Sequence, residues 1–177
     1  MMTLCLLSTL SVSAFAASAH NLKTADKLST FVQYGTAPMY VDCSKGSAAV
    51  KALEIKNHDC PAQTTNAVGP LNQVGGSCGT AYIYGSGVGF GFAKFAVGGS
   101  SSKGGILNVS YIIRWIGGLA GPGLTTGTVF PFGSKIWADV QDVLTGSGRI
   151  TSVLSGAATL KSGEICTINN PNSNFNA

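Results

Sequence analysis

The chain has 177 residues, of which only 10% are charged and 24 are glycine, and its formal net charge is +4. That length suits one domain able to bury a core unaided. Scarce charge with abundant glycine argues for short strands and tight turns over long solvated helices. The eleven Lys and Arg residues are dispersed, and only two are Arg. The clustered basic footprint of a nucleic-acid-binding protein is missing, so no nucleic-acid partner is expected.

Residues 1–19 read as an export signal. An uncharged apolar run over 4–12 leads into Ala14, Phe15, Ala16, Ala17, Ser18 and Ala19, the small-residue pattern of a cleavage region. Cleavage is expected after Ala16 or after Ala19. No basic residue precedes the run, which departs from the usual signal. The run falls short of the roughly 20 apolar residues of a spanning helix. A secreted, extracellular protein without a stable membrane span is the expectation.

Residues 20–76 read as a partly irregular N-terminal segment. Ser47 is placed to cap a short helix over 48–56. Residues 61–76 carry the Thr, Asn, Gly and Pro of a loop. Cys5 leaves with the signal, so Cys43, Cys60, Cys78 and Cys166 remain, an even number for an oxidising compartment. Four cysteines allow three pairings. The pairing favoured is Cys43–Cys60, closing a local loop, with Cys78–Cys166 joining the two ends of the β region. No short C-x2-C spacing exists, which argues against zinc.

Residues 77–169 hold 19 of the 24 glycines and are read as the β domain. Over 82–97, Gly85, Gly87, Gly89 and Gly91 share one face, with Val88, Phe90 and Phe92 on the other. Such a glycine face implies close backbone approach. Either a neighbouring strand packs tightly there, the favoured expectation, or a ligand lies on a flat floor. In 106–116, Leu107, Val109, Tyr111, Ile113 and Trp115 alternate with mostly polar residues, the mark of a half-buried strand. In 134–144, Ile136, Ala138, Val140 and Leu144 share an expected core face. Trp137 then falls with Lys135, Asp139 and Gln141 on an expected solvent face. Residues 149–160 alternate again, through Ile150, Leu154, Ala158 and Leu160. Glycine punctuation between these runs predicts antiparallel hairpins. The fold class expected is all-β, an antiparallel β-sandwich of immunoglobulin-like or jelly-roll-like kind. Residues 170–177 are expected to form a flexible tail.

The catalytic inventory is thin. There are two histidines, His20 and His58, and neither a G-x-S-x-G elbow nor an H-E-x-x-H helix occurs. His58 reads as a solvated turn residue. Asp139 and Asp142, three apart on a strand, point to opposite faces and read as solvating charges. No cofactor is expected, with copper as the alternative. Cleavage after Ala19 would make His20 the first residue. Its amine and imidazole, joined by His58, would form an all-nitrogen site suited to Cu(II). That arrangement is similar to the N-terminal histidine site of secreted copper proteins such as the lytic polysaccharide monooxygenases. What the resemblance implies is redox or metal-carrier activity. The reading preferred is a non-enzymatic extracellular binding module for a surface, polysaccharide or protein, with Trp137 and Tyr84 as ligand contacts. A third reading, from the positive charge and the glycine–aromatic alternation, is an antimicrobial or membrane-active protein.

Overall fold

The computed structural model describes residues 34–61 and 74–177. Its elements in chain order are β1 (Gly35–Asp42), α1 (Ala48–Lys56), β2 (Val74–Gly89), β3 (Phe92–Ser101), β4 (Ile106–Gly117), β5 (Gly123–Val129), β6 (Ile136–Leu144), β7 (Arg149–Leu160), β8 (Ile165–Ile168) and β9 (Asn172–Asn176). The all-β expectation holds. Every strand belongs to one antiparallel sheet, ordered β5-β4-β7-β8-β1-β2-β3-β6, with β9 added on β7. The ladder runs unbroken from β5 to β6. These two terminal strands come side by side without pairing, so the sheet is nearly closed and has one seam.

Alternation decides which residues line the interior. Phe95 and Val97 of β3, Val109, Tyr111 and Ile113 of β4, and Leu154, Ala158 and Leu160 of β7 are buried. Met39 and Val41 bring β1 into the same core, so the N-terminal segment supplies a full sheet member. Cys78–Cys166 joins β2 to β8 beneath β1, and Cys43–Cys60 closes the helical loop. The long bridge spans 88 residues, a separation worth roughly 4 kcal/mol in the chain-entropy account.

Four glycines stand directly opposite aromatic residues on the neighbouring strand. The pairs are Tyr82 with Gly98, Trp137 with Gly99, Trp115 with Gly123 and Tyr111 with Gly127. In each, a β-carbon on the glycine would come within 2.7 Å of the aromatic side chain. The rings lie across the positions that side chains would otherwise fill.

The stretch 82–97 is divided between two strands. Gly89 pairs with Phe92, and Phe90 and Gly91 between them have φ of 53° and 75°. Two positive φ values in a two-residue loop make a type I′ hairpin turn. The face of Gly85 and Gly87 is covered by the chain itself. A β-carbon at Gly85 would lie 2.2 Å from the Phe175 ring, and one at Gly87 would lie 2.5 Å from the Asn176 carbonyl. The Gly85 N–H donates to Ser173 Oγ at 3.0 Å. Residues 172–176, expected in a flexible tail, are thus strand β9, with Phe175 buried edge-on against Phe95. Residue-by-residue hydropathy conceals β9, because Asn, Ser, Asn, Phe and Asn carry one large apolar group among them.

Helix α1 begins where expected. The Ser47 side chain accepts from the Val50 N–H at 3.3 Å. The residue it buries is Glu54, while Leu53 is exposed.

A Gly127→Ala change should drive a β-carbon into the pinned Tyr111 ring and lower stability by roughly 1–3 kcal/mol. Gly104→Ala has open space around it and serves as the control. Urea unfolding of both should show a lowered midpoint for the first alone.

Candidate functional site

Two of the residues expected to contact ligand are placed differently from one another. Trp137 is 2% exposed and stacks on Tyr111 at 6.0 Å between centroids. The solvent-face expectation for it is therefore corrected. Tyr84 lies on the outer face and is partly exposed. His58 is exposed and has φ of 60° just after α1. His20 lies outside the described residues, so the expected copper pair cannot be placed as a pair. Among the described residues, no three His, Cys, Asp or Glu side chains gather in a way that would hold a metal ion.

The inversion of β6 has a local cause. Tyr111 of β4 passes beneath β5, through the gap left by Gly127, and reaches β6. Its hydroxyl donates to Asp139 Oδ2 at 2.5 Å and accepts from Gln141 Nε2 at 3.1 Å. Gln141 Nε2 also donates to Asp139 Oδ2 at 3.2 Å, and Asp139 Oδ1 accepts the Val140 N–H at 2.8 Å. Asp139 is thus a half-buried acceptor on the inner side of the seam, correcting its reading as a solvating charge. Burial pushes the Tyr111 hydroxyl far above the usual phenol range, and the bond to Asp139 adds to that rise. For Asp139, burial acts upward, but the bonds from Tyr111, Val140 and Gln141 outweigh it and hold the carboxyl below its ordinary value. At neutral pH the proton stays on Tyr111 and the charge on Asp139. The trio ties the seam together and is not arranged to shuttle protons.

A second polar group seats α1 at the other side of the core. Lys103 forms an ion pair with Asp59 and stands 3.9 Å from Glu164, which accepts from Ser162 Oγ at 2.8 Å. Glu54 is fully buried, and its Oε1 has no hydrogen-bond partner. Burial raises its carboxyl above the usual range, and repulsion from Glu164 and Asp59 adds to this against the weaker opposing pull of Lys103 and Lys51.

Because Trp137, Asp139, Gln141 and Val143 turn inward, Ile136, Val140 and Leu144 turn out. Ile136, Val140 and Leu144 are 67%, 53% and 59% exposed. Their alternation in the sequence predicts a core face, and the structure corrects that expectation. Register extends them across neighbouring strands: Leu144 opposes Phe92, and Val140 opposes Ala96, which opposes Tyr84. Between the two rows, Lys94 and Asp142 stand 3.9 Å apart. Residues directly opposite are within about 5.5 Å of each other, so each row is continuous across its strands, with the Lys94–Asp142 pair between the two. Exposed apolar rows of this kind, flanking an ion pair, mark an interaction surface more often than scattered exposed residues do.

Tyr111→Phe should cost about 1.5–3 kcal/mol, the range for a hydrogen bond to a charged group. Asp139→Asn should be largely non-additive with it in a double-mutant cycle read by urea unfolding. Glu54 has a raised folded-state pKa, so its penalty appears as pH climbs through that value and is absent below the unfolded value. Glu54→Gln should raise the melting temperature at neutral pH and leave it nearly unchanged in acid. An unchanged neutral-pH melting temperature would contradict this account.

Comparison with known family models, with curated proteins and with solved structures gives no match for this chain.

Proposed function

We propose that this chain is a secreted, non-enzymatic module that works by laying its outer sheet face on an extracellular surface. The observation that carries the reading is the orientation of β6. Ile136, Val140 and Leu144 face solvent, while its indole is buried and its carboxylate and amide turn inward at the seam. Each outward aliphatic side chain forgoes much of the roughly 1.5–3 kcal/mol that full burial would bring. A contact partner recovers that free energy.

Further observations support the same reading. The interior polar trio is held in fixed protonation states, which suits a scaffold better than an acid–base catalyst. Both disulfides are compatible with an oxidising, extracellular setting. Tyr84 remains a contact residue in this reading, at the edge of the apolar rows, and Trp137 becomes part of the support beneath them.

The test is a retention panel of insoluble chitin, cellulose and phospholipid vesicles, run with the wild type and with Leu144→Lys. Leu144 is exposed at the strand end, so the variant should fold with an unchanged melting temperature. The wild type should be retained by at least one surface, and the variant should lose most of that retention. Equal retention of both, or retention of neither, would defeat the proposal.

A further inference from the structure

The apolar face ends in a crown of three loops at the edge where β2 passes to β3, β4 to β5 and β6 to β7. Phe90 stands at the β2–β3 turn and is fully exposed. Leu119, 89% exposed, stands in the β4–β5 loop. The β6–β7 loop clasps both. Thr145 and Gly146 N–H groups donate to the Gly91 carbonyl at 3.0 and 2.9 Å. The Ala120 N–H donates to Thr145 O, and the Leu119 N–H donates to Ser147 O, each at 3.1 Å. The two projecting side chains are therefore carried on one hydrogen-bonded platform.

Phe90 combines two unfavourable features. Its φ of 53° is uncommon for a non-glycine residue, and the first central position of a type I′ turn favours Asn, Asp or Gly. Its ring also gains nothing from the fold, since it is wholly in solvent. Phe92 and Leu144 lie just behind it, and Ile116 lies just behind Leu119; all three are exposed. Charge follows one pleat further back. Lys94 is two residues from Phe92, and Arg114 is two residues from Ile116, both exposed, with Arg149 exposed at the start of β7. Asp142, beside Lys94, is the acidic group of this row. Two residues of strand span about 7 Å. Interfacial segments bury their apolar groups about 5–10 Å into the boundary between headgroups and acyl chains. With the crown at that depth, Lys94 and Arg114 would stand level with the phosphates.

We infer that this loop end docks on an anionic phospholipid surface, with Phe90 and Leu119 inserted and Lys94, Arg114 and Arg149 against the headgroups. The inference rests on reading the outer apolar face as a contact surface, and it names the partner. Apolar tips backed by cations match a bilayer leaflet, whose apolar layer lies beneath an anionic one. A flat protein partner would be held off by the projecting tips.

The experiment is cosedimentation of the exported chain with vesicles of phosphatidylcholine, with and without a minority of phosphatidylserine. Binding should require phosphatidylserine and weaken with added salt. Phe90→Asn should bind at least about tenfold more weakly. Because it creates the Asn-Gly pair that this turn prefers, its melting temperature should stay level or rise, so lost binding cannot be laid to misfolding. Arg149→Gln should weaken binding about fivefold, and Ala52→Gln, exposed on α1 at the opposite end of the sheet, should bind as the wild type does. Failure of the wild type to bind, or equal binding to both vesicle types, would overturn the inference. Loss in Ala52→Gln with full binding by Phe90→Asn would also overturn it. If chitin or cellulose still retains the wild type and Leu144→Lys is released, the contact-face reading survives that failure. Retention by no surface at all removes both.

Discussion

An aromatic ring set against a glycine on the adjacent strand is the contact on which this fold depends. It recurs at Tyr82–Gly98, Trp137–Gly99, Trp115–Gly123 and Tyr111–Gly127. A glycine in a strand sacrifices side-chain packing and costs conformational entropy. A ring laid over it restores the buried area and shields the bare backbone, an effect known for glycines in designed sheets. Two of the pairs lie on β5, and they let Tyr111 and Trp115 extend under that strand. Tyr111 thereby reaches β6 and bonds to it through Asp139 and Gln141. Side chains close the seam where no backbone ladder does.

That closure determines what the outside looks like. A β-strand has two faces, so drawing Trp137, Asp139 and Gln141 inward leaves Ile136, Val140 and Leu144 outside. The apolar exterior follows from the interior hydrogen bonds. Buried Glu54 and half-buried Asp139 act in opposite directions on stability. Asp139 contributes above its unfolded pKa and loses that contribution as pH falls through its depressed folded value. Glu54 becomes a burden as pH rises. Together they favour a mildly acidic optimum.

Much of the architecture is legible in the sequence. The alternations in 106–116 and 149–160 correspond to β4 and β7, and Ser47 caps α1 over the residues read as helix. The cysteine pairs form as expected. The strand at 134–144 is legible too, but not its facing. It carries apolar groups on both sides, and hydropathy alone favours the side with three aliphatics. The signal that would have reversed the assignment is cross-strand: an indole needs the space opposite Gly99, and a phenol needs a buried acceptor. Those partners are distant in sequence and can be assigned only once register is known. The apolar crown was equally obscured. Its members come from three loops, and each reads locally as an isolated hydrophobic residue beside a glycine. The glycine face on β2 was read as a place of close approach, and the polar C-terminal segment that approaches it has almost no hydrophobic signature.

The position of β1 between β2 and β8 has a consequence for how the protein comes into being. The first strand of the sheet finds its second neighbour only when residues 165–168 are available. The β1–β8, β7–β8 and β7–β9 pairings all await the last part of the polypeptide. Non-local strand pairing of this sort makes assembly slow. Cys43 and Cys60 can pair with each other early, whereas Cys78 has its native partner only once Cys166 is present. The Cys78–Cys166 bridge thus belongs to the last stage of assembly, where it locks β1 between the two strands it joins.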